Sequence, residues 1–465
     1  MKYINNISNK SWLIVSQSCY GGLIFGYATG IIVGTLDPIA IKFGASTVLK
    51  GVIVCSLLVG ALIGSFAGGF AANKFGRKPL LVFTALTSIG GAIGSGLGEN
   101  VATICILRFI HGLAVGTSSS VCPLMVAEMV PIKKRGIFGS FFQISITVGI
   151  LIANILAYVI KGDWKLMFCL GAIPGGLLLF VSLVISESPV FLEMKSTTNN
   201  NQTNNENQND ISQQGSKYRI IFSKKMRKPM LVGVLLATLA QLTGINAFMY
   251  FSNTIFKDAG INNPEIASVA LQVWNVLTTL IAIFLVDKLG RRFLLFTGSI
   301  VMTVCDLLIA LFLLVLFGAA KGWTSIVFLF IFVGAFEASI GTLFWFVINE
   351  ILPEDSKSIG APIINACQWT FNTILSFFFL VVVEYLGQST MFWIFGGIGV
   401  FCTVFLYFNL PKSLGASTNT TDDIRIPEDQ QQQQPSIEEL ENDKKYNHKD
   451  EQTNSNEQIP AQMQA

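Results

Sequence analysis

The chain has 465 residues, 52% of them hydrophobic and only 13% charged, with a formal net charge of +3. The apolar residues come in runs near twenty residues long rather than in amphipathic stripes, more than a soluble core could bury. The small positive balance sits in short loops between these runs, so nucleic-acid binding is not implied, and the runs are too continuous for the alternating strands of a membrane barrel.

The first run starts at Trp12 and reaches Leu36 without a small-residue cleavage site, longer than a signal-peptide core, and reads as a retained helix. Eleven more follow, at about 48–72, 79–98, 102–126, 137–160, 164–186, 230–252, 266–286, 293–319, 324–352, 362–386 and 391–410. Each is long enough to cross a bilayer as a helix, so the expected fold is an all-α integral membrane protein of twelve transmembrane helices.

Lysines and arginines concentrate after spans 2, 4, 6 and 8, as Lys74/Arg77/Lys78, Lys133/Lys134/Arg135, Lys224/Lys225/Arg227/Lys228 and Lys288/Arg291/Arg292. By the positive-inside rule these loops and both termini face the cytosol. The eight cysteines, Cys19, Cys55, Cys105, Cys122, Cys169, Cys305, Cys367 and Cys402, lie in or at the edges of spans without metal-like or redox-like spacing. No metal or cofactor is expected, and no nucleophile–base pair or phosphate-cradling loop marks an enzyme.

An internal repeat divides the chain. Lys74-Phe75-Gly76-Arg77-Lys78 recurs 214 residues on as Lys288-Leu289-Gly290-Arg291-Arg292, and Glu128-x-x-Pro131 with Arg135 recurs 222 residues on as Glu350-x-x-Pro353 with Lys357. The expected organisation is an arm (1–11), a six-helix bundle (12–194), a cytosolic linker with an Asn/Gln-rich insertion (195–229), a second six-helix bundle (230–410) and a polar tail (411–465). The asparagine run Asn199-Asn200-Asn201 and the glutamines Gln430 to Gln434 read as unfolded segments. Glycines every four residues, at Gly22, Gly26, Gly30 and Gly34, at Gly60, Gly64 and Gly68, and at Gly112 and Gly116, line one face each of spans 1, 2 and 4, which permits close helix approach.

Polar groups in hydrocarbon need partners, so their positions carry information. Gln143, Thr147 and Asn154 share a face of span 5. Span 7 holds Gln241 and Asn246 around Gly244, where an opened helix would turn both amides to one cavity. Span 8 adds Asn275, span 10 Glu337 and Trp345, and span 11 Gln368 and Asn372 with Trp369 beside them. Amides donate and accept at once, which suits a ligand covered in hydroxyls.

At these residues the chain resembles the sugar porter family of the major facilitator superfamily, from about residue 20 to 411. The resemblance rests on FGYATG (Phe25 to Gly30), GGFAANKFGRK (Gly68 to Lys78), Arg108 with PLMVAEMVPIKKRG (Pro123 to Gly136), QISITVGIL (Gln143 to Leu151), SESPVFL (Ser186 to Leu192), QLTGINAFMYF (Gln241 to Phe251), DKLGRR (Asp287 to Arg292) and WFVINE (Trp345 to Glu350). It implies two pseudo-symmetric six-helix bundles and a sugar site using Gln143, Gln241, Asn246, Tyr250, Asn275, Glu337, Trp345, Gln368, Trp369 and Asn372. It also implies a cytosolic gate, with Arg77, Glu128, Arg135 and Glu187 pairing with Asp287, Arg291, Arg292 and Glu350 when the inner side closes.

Several positions depart from the family pattern. Ala28 stands where proton-coupled members carry an aspartate, beside Arg108, and alanine carries no proton, so facilitated diffusion is expected. His111, one turn from Arg108, and Asp306, in the middle of span 9, are the remaining titratable suspects; Asp306 is expected to be a hydrogen-bonded or protonated structural group. Ala240 replaces one of two family glutamines, and Ser339 to Phe344 replace a glycine–proline run, leaving any bend of span 10 to Gly341. Asn73, Val190 and Lys412 also depart. The expected function is passage of a hexose or similar polyhydroxylated solute by a monomer in the plasma membrane; a polyol carrier and a membrane sugar sensor that does not transport stay open as alternatives.

Overall fold

A computed structural model describes residues 11–130, 135–204, 223–258, 260–316, 318–353, 357–410 and 414. The linker insertion beyond 204, the loop lysines Lys133 and Lys134, and the tail with Lys412 lie outside them. Among the described residues twelve helices are long and apolar enough to cross a membrane: α1 (Trp12–Phe43), α2 (Thr47–Phe75), α3 (Arg77–Leu97), α4 (Val101–Met129), α5 (Phe138–Ile160), α6 (Trp164–Val184), α7 (Lys225–Lys257), α8 (Pro264–Val286), α9 (Arg291–Val315), α10 (Ala320–Trp345), α11 (Ile359–Leu386) and α12 (Gln388–Asn409). Helices satisfy their own backbone groups, which is what a segment without water requires. Large apolar side chains such as Phe180, Phe284 and Phe408 point outward, the reverse of a soluble surface.

The repeat shows in the backbone. Gly76 joins α2 to α3 at φ +100° and Gly290 joins α8 to α9 at φ +80°, both in a region that penalises a Cβ. We call the end that holds these two turns the basic end, after Arg77, Lys78, Arg291 and Arg292, and its opposite the far end. At the far end Ser46 caps α2 through the Leu49 amide, Asn100 caps α4 through Thr103, and Asp163 caps α6 through Leu166.

Four spans are interrupted among the described residues, none of them at a proline. The helix of α1 breaks at Ile31 and that of α6 at Gly171, where the Tyr27 hydroxyl donates to the Met167 carbonyl at 2.6 Å. In α7 the helix ends at Leu242 and restarts at Ile245 around Gly244, φ +97°, as the sequence leads one to expect. In α10, Glu337–Gly341 form a π turn closed by the Thr342 hydroxyl on the Glu337 carbonyl at 2.7 Å. That turn is the irregularity assigned to Gly341 by sequence; it is a widened turn rather than a proline kink. Helix α9 ends at Val315, four residues short of the apolar run, and a further helix, Pro189–Asn204, runs on through the asparagines read as unfolded.

The glycine faces pack backbone on backbone, but in two separate pairs. A Cβ on Gly26 would lie 2.0 Å from the Ile146 carbonyl of α5, so the α1 face serves α5. Gly60 and Gly64 of α2 meet Phe109 and Leu113 of α4, and Gly112 and Gly116 of α4 meet Leu57 and Ala61 of α2, with built Cβ contacts of 2.0–2.4 Å. Between the halves the contacts run mainly along α2 with α11 and α5 with α8, and the centre is lined by α1, α5, α7, α8, α10 and α11.

Gly116→Val should therefore abolish a monodisperse size-exclusion peak after mild detergent extraction, since its Cβ falls 2.0 Å from the Ala61 carbonyl. Gly90→Val, with nothing within 4 Å of its built Cβ, should leave the peak unchanged.

Candidate functional site

Three of the interrupted helices, α1, α7 and α10, reach a central cavity with about 580 Å³ of space between atoms, part of it open to solvent. The volume open to the centre of a water-sized sphere is about 70 Å³, below the roughly 300–1,000 Å³ of small-molecule sites, so the cavity is narrow as it stands. Of the ten residues expected at a site, Gln143, Asn246, Asn275, Glu337, Trp345 and Gln368 line it, with Phe25, Thr29, Met249 and Phe336 supplying apolar wall.

Its centre is one amide held from two sides. Gln143 of α5 donates to Glu337 at 3.2 Å and accepts from the Trp345 indole at 3.2 Å, so a first-half side chain is clamped by two groups of α10. The π turn lies between Glu337 and Trp345, and both reach the cavity. The Phe142 ring meets Trp345 edge-on at 5.6 Å, which helps fix the indole.

The other four expected residues stand behind this layer. Gln241 accepts a short hydrogen bond from Asn246 across the break at Gly244. Asn372 donates to the Tyr250 hydroxyl at 3.1 Å, and both are buried away from the cavity wall. Trp369 packs on Phe25 with ring centroids 5.0 Å apart and donates to Ser119 at 3.4 Å. Asn154, on the expected polar stripe of α5, turns back to the Ile150 carbonyl and does not line the cavity; Thr147 does.

Two buried acceptors at the wall, Gln368 Oε1 and Asn275 Oδ1, have no partner among the described residues. Amide, indole and carboxyl groups around an apolar slot can together donate to and accept from a solute bearing several hydroxyls. Two polar residues escaped the sequence reading. Gln272 accepts from Asn275 at 3.2 Å, and Asn365 donates to Ser119 and Ser120; each sits three residues before a named residue on the same helix, a spacing that could have found them.

At the basic end two ion pairs among the described residues run within halves. Arg77, 2% exposed, forks onto Glu128 at 2.9 and 2.5 Å, and Arg291 pairs with Glu350 at about one-third exposure. Glu187 accepts from the amides of Arg77 and Lys78 at 2.9 and 3.1 Å, an anion seated on the N-terminus of α3. Arg292 is half-buried, and the side chains of Arg135 and Asp287 lie outside the described residues.

The remaining titratable suspects are structurally placed. Arg108 donates to the Ile53 carbonyl at 3.1 Å and faces the Phe168 ring at 5.4 Å; Ala28 is buried. His111 meets Ser88 at 3.4 Å. Asp306 is fully buried, and neither carboxyl oxygen finds a hydrogen-bond partner among the described residues, so the hydrogen-bonded role expected for it is not seen.

A family model described as "Sugar (and other) transporter" matches residues 14–424. The chain is 34% identical over 432 residues to the glucose transporter GlcP of Staphylococcus epidermidis, covering 88% of this chain and 96% of that one. Identity to the arabinose-proton symporter of Bacillus subtilis is 29% over 450 residues, covering 90% and 96%. Among solved structures, the partially occluded inward-open conformation of the xylose transporter XylE from E. coli matches with a TM-score of 0.72 at 26% identity, covering 87% of this chain and 98% of that one.

The two ion pairs should differ in weight. Arg77→Ala leaves the mostly buried Glu128 carboxylate without its fork and should cost about 3–5 kcal/mol. Arg291→Ala, at a partly exposed and screened pair, should cost roughly 0–1 kcal/mol. Thermal unfolding of the purified protein should show a large drop for the first, partly restored in Arg77→Ala/Glu128→Ala, and little for the second.

Proposed function

The chain belongs to the sugar transporter family of the major facilitator superfamily, and from that premise we propose that it carries a hexose or similar polyhydroxylated solute by facilitated diffusion. The observation that carries the reading is the Gln143–Glu337–Trp345 bridge, made across the two halves by groups that can exchange one another for solute hydroxyls. Solute entering the cavity replaces contacts between halves with contacts to itself, so binding and the movement of the halves are linked.

Sugars figure in the names of the relatives, glucose for one and arabinose and xylose for others, which supports a sugar as the solute. A myo-inositol transporter of Bacillus subtilis, 30% identical, keeps a polyol within the class. Ala240 lines the cavity with a methyl group where the family resemblance expects a glutamine, so one hydroxyl contact is missing and the choice of solute is shifted accordingly.

Absence of coupling rests on Ala28. In its place no carboxylate faces Arg108 among the described residues; the guanidinium is satisfied by a carbonyl and an aromatic face instead. The basic end is the cytosolic end in this reading, by the loop charges, and the surface membrane is the site of action. Arg77, Glu128, Arg135 and Glu187 of the first half, set against Asp287, Arg291, Arg292 and Glu350 of the second, form the inner gate in this reading.

Labelled glucose, offered with competing hexoses and polyols to a transporter-deficient cell expressing the chain, should enter by a saturable route. Binding without entry would overturn the reading. Gln143→Ala should lower uptake at least about tenfold, the effect of losing a hydrogen bond to a carboxyl and one to an indole, with unchanged protein in the membrane; normal uptake would remove α5 from the site. Addition of the transported sugar to lightly buffered cells should cause no alkalinisation of the medium. Alkalinisation would establish proton entry and turn attention to Glu337, Asp306 and His111.

A further inference from the structure

We propose that Asn365 is an inner latch between the halves, a positioning residue that holds the cavity shut toward the basic end until solute replaces it. The inference rests on the transport reading for its role, but its geometry stands independently. Asn365, 3% exposed on α11, sends its amide nitrogen to the hydroxyls of Ser119 and Ser120 on α4, at 3.1 Å each. These bonds join the second half to the first. The acceptors are themselves anchored, Ser120 by donating to the Ser65 carbonyl at 3.0 Å and Ser119 to Gly116 at 2.7 Å. They therefore present fixed oxygens to the amide.

The latch sits one helical turn toward the basic end from Gln368, which lines the cavity. A solute leaving toward the basic end passes between the halves, so α4 and α11 must part where these bonds lie. Among the described residues, the two Asn365 amide bonds and the longer Trp369–Ser119 contact at 3.4 Å cross from α11 to α4 at this level, whereas the ion pairs Arg77–Glu128 and Arg291–Glu350 run within halves. The strength of the amide bonds is suitable: a neutral hydrogen bond shifts an equilibrium about 2- to 10-fold, enough to bias the resting state and weak enough to break every cycle. Asn365 Oδ1 is buried without a partner among the described residues, an acceptor that a passing hydroxyl can use as the amide lets go. At the far end Asn253 plays the same part more lightly, donating to the Val33 carbonyl of α1 at 3.3 Å.

The test is hydrogen exchange followed by mass spectrometry on the full chain in lipid without solute. Asn365→Ala, and separately Ser119→Ala/Ser120→Ala, should speed exchange about 2- to 10-fold in the basic-end segments of α4 and α11 and slow it at the far end, where α1 meets α7. The triple variant should go no further than Ser119→Ala/Ser120→Ala alone, because the serine pair already loses both bonds from Asn365, together with the Trp369–Ser119 contact. A uniform rise across the chain, no change, or additive effects would overturn the latch. In the same variants the half-saturation for solute should rise from the far side and fall from the basic side; movement in one direction on both sides would make Asn365 a solute contact instead. Lack of saturable flux in the unaltered protein would sink the transport reading while leaving the exchange result to decide the latch.

Discussion

A polar group inside a bilayer has no water to fall back on, so the amides and carboxyl of this chain bond either to one another or to whatever enters between the helices. Gln143 illustrates the consequence, being satisfied on one side by Glu337 and on the other by Trp345, both from the opposite half. In the proposed reading such a site is closed by its own residues when empty and by the solute when full. Ligand recognition and the joining of the halves then draw on the same atoms.

The two kinds of contact in the fold divide the labour. Within the first half, α1 against α5 and α2 against α4 meet at glycines with no room for a Cβ, and Arg77 is buried on Glu128. Such interfaces have one arrangement and move as a body. Between halves the described contacts include individual side-chain hydrogen bonds, Asn253 to Val33, Gln143 to Glu337, and Asn365 to Ser119 and Ser120, each modest enough to be exchanged for a bond to solute or to another partner. The irregular backbone is placed where that replacement happens, at Gly244 in α7 and at the π turn of α10.

The twelve spans were legible because hydrocarbon selects for long apolar runs, and the repeat because Gly76 and Gly290 need the same positive-φ turn. Six of ten expected site residues face the cavity because helical spacing places intramembrane amides on one side, whereas Tyr250 and Asn372 found each other instead, a choice that spacing alone does not reveal. The π turn at Glu337–Gly341 was hidden because nothing in the residue types requires it; only the missing prolines hinted that α10 bends by other means. Pairing of Arg77 with Glu128 rather than across the halves depends on where α3 and α4 end in space, which charge pattern does not specify.

Arg108 shows how one substitution can change the chemistry of a conserved-looking frame. Beside Ala28 it is seated on a carbonyl and an aromatic face, with no carboxylate facing it among the described residues. The central claim is that the bridge between halves and the solute site are one set of atoms. A structure of the chain with a bound hexose tests it most directly: the account predicts Gln143 and Trp345 within hydrogen-bond distance of sugar hydroxyls and the Gln143–Glu337 contact given up or shared. A hexose bound elsewhere, with Gln143 still clamped between Glu337 and Trp345, would contradict it.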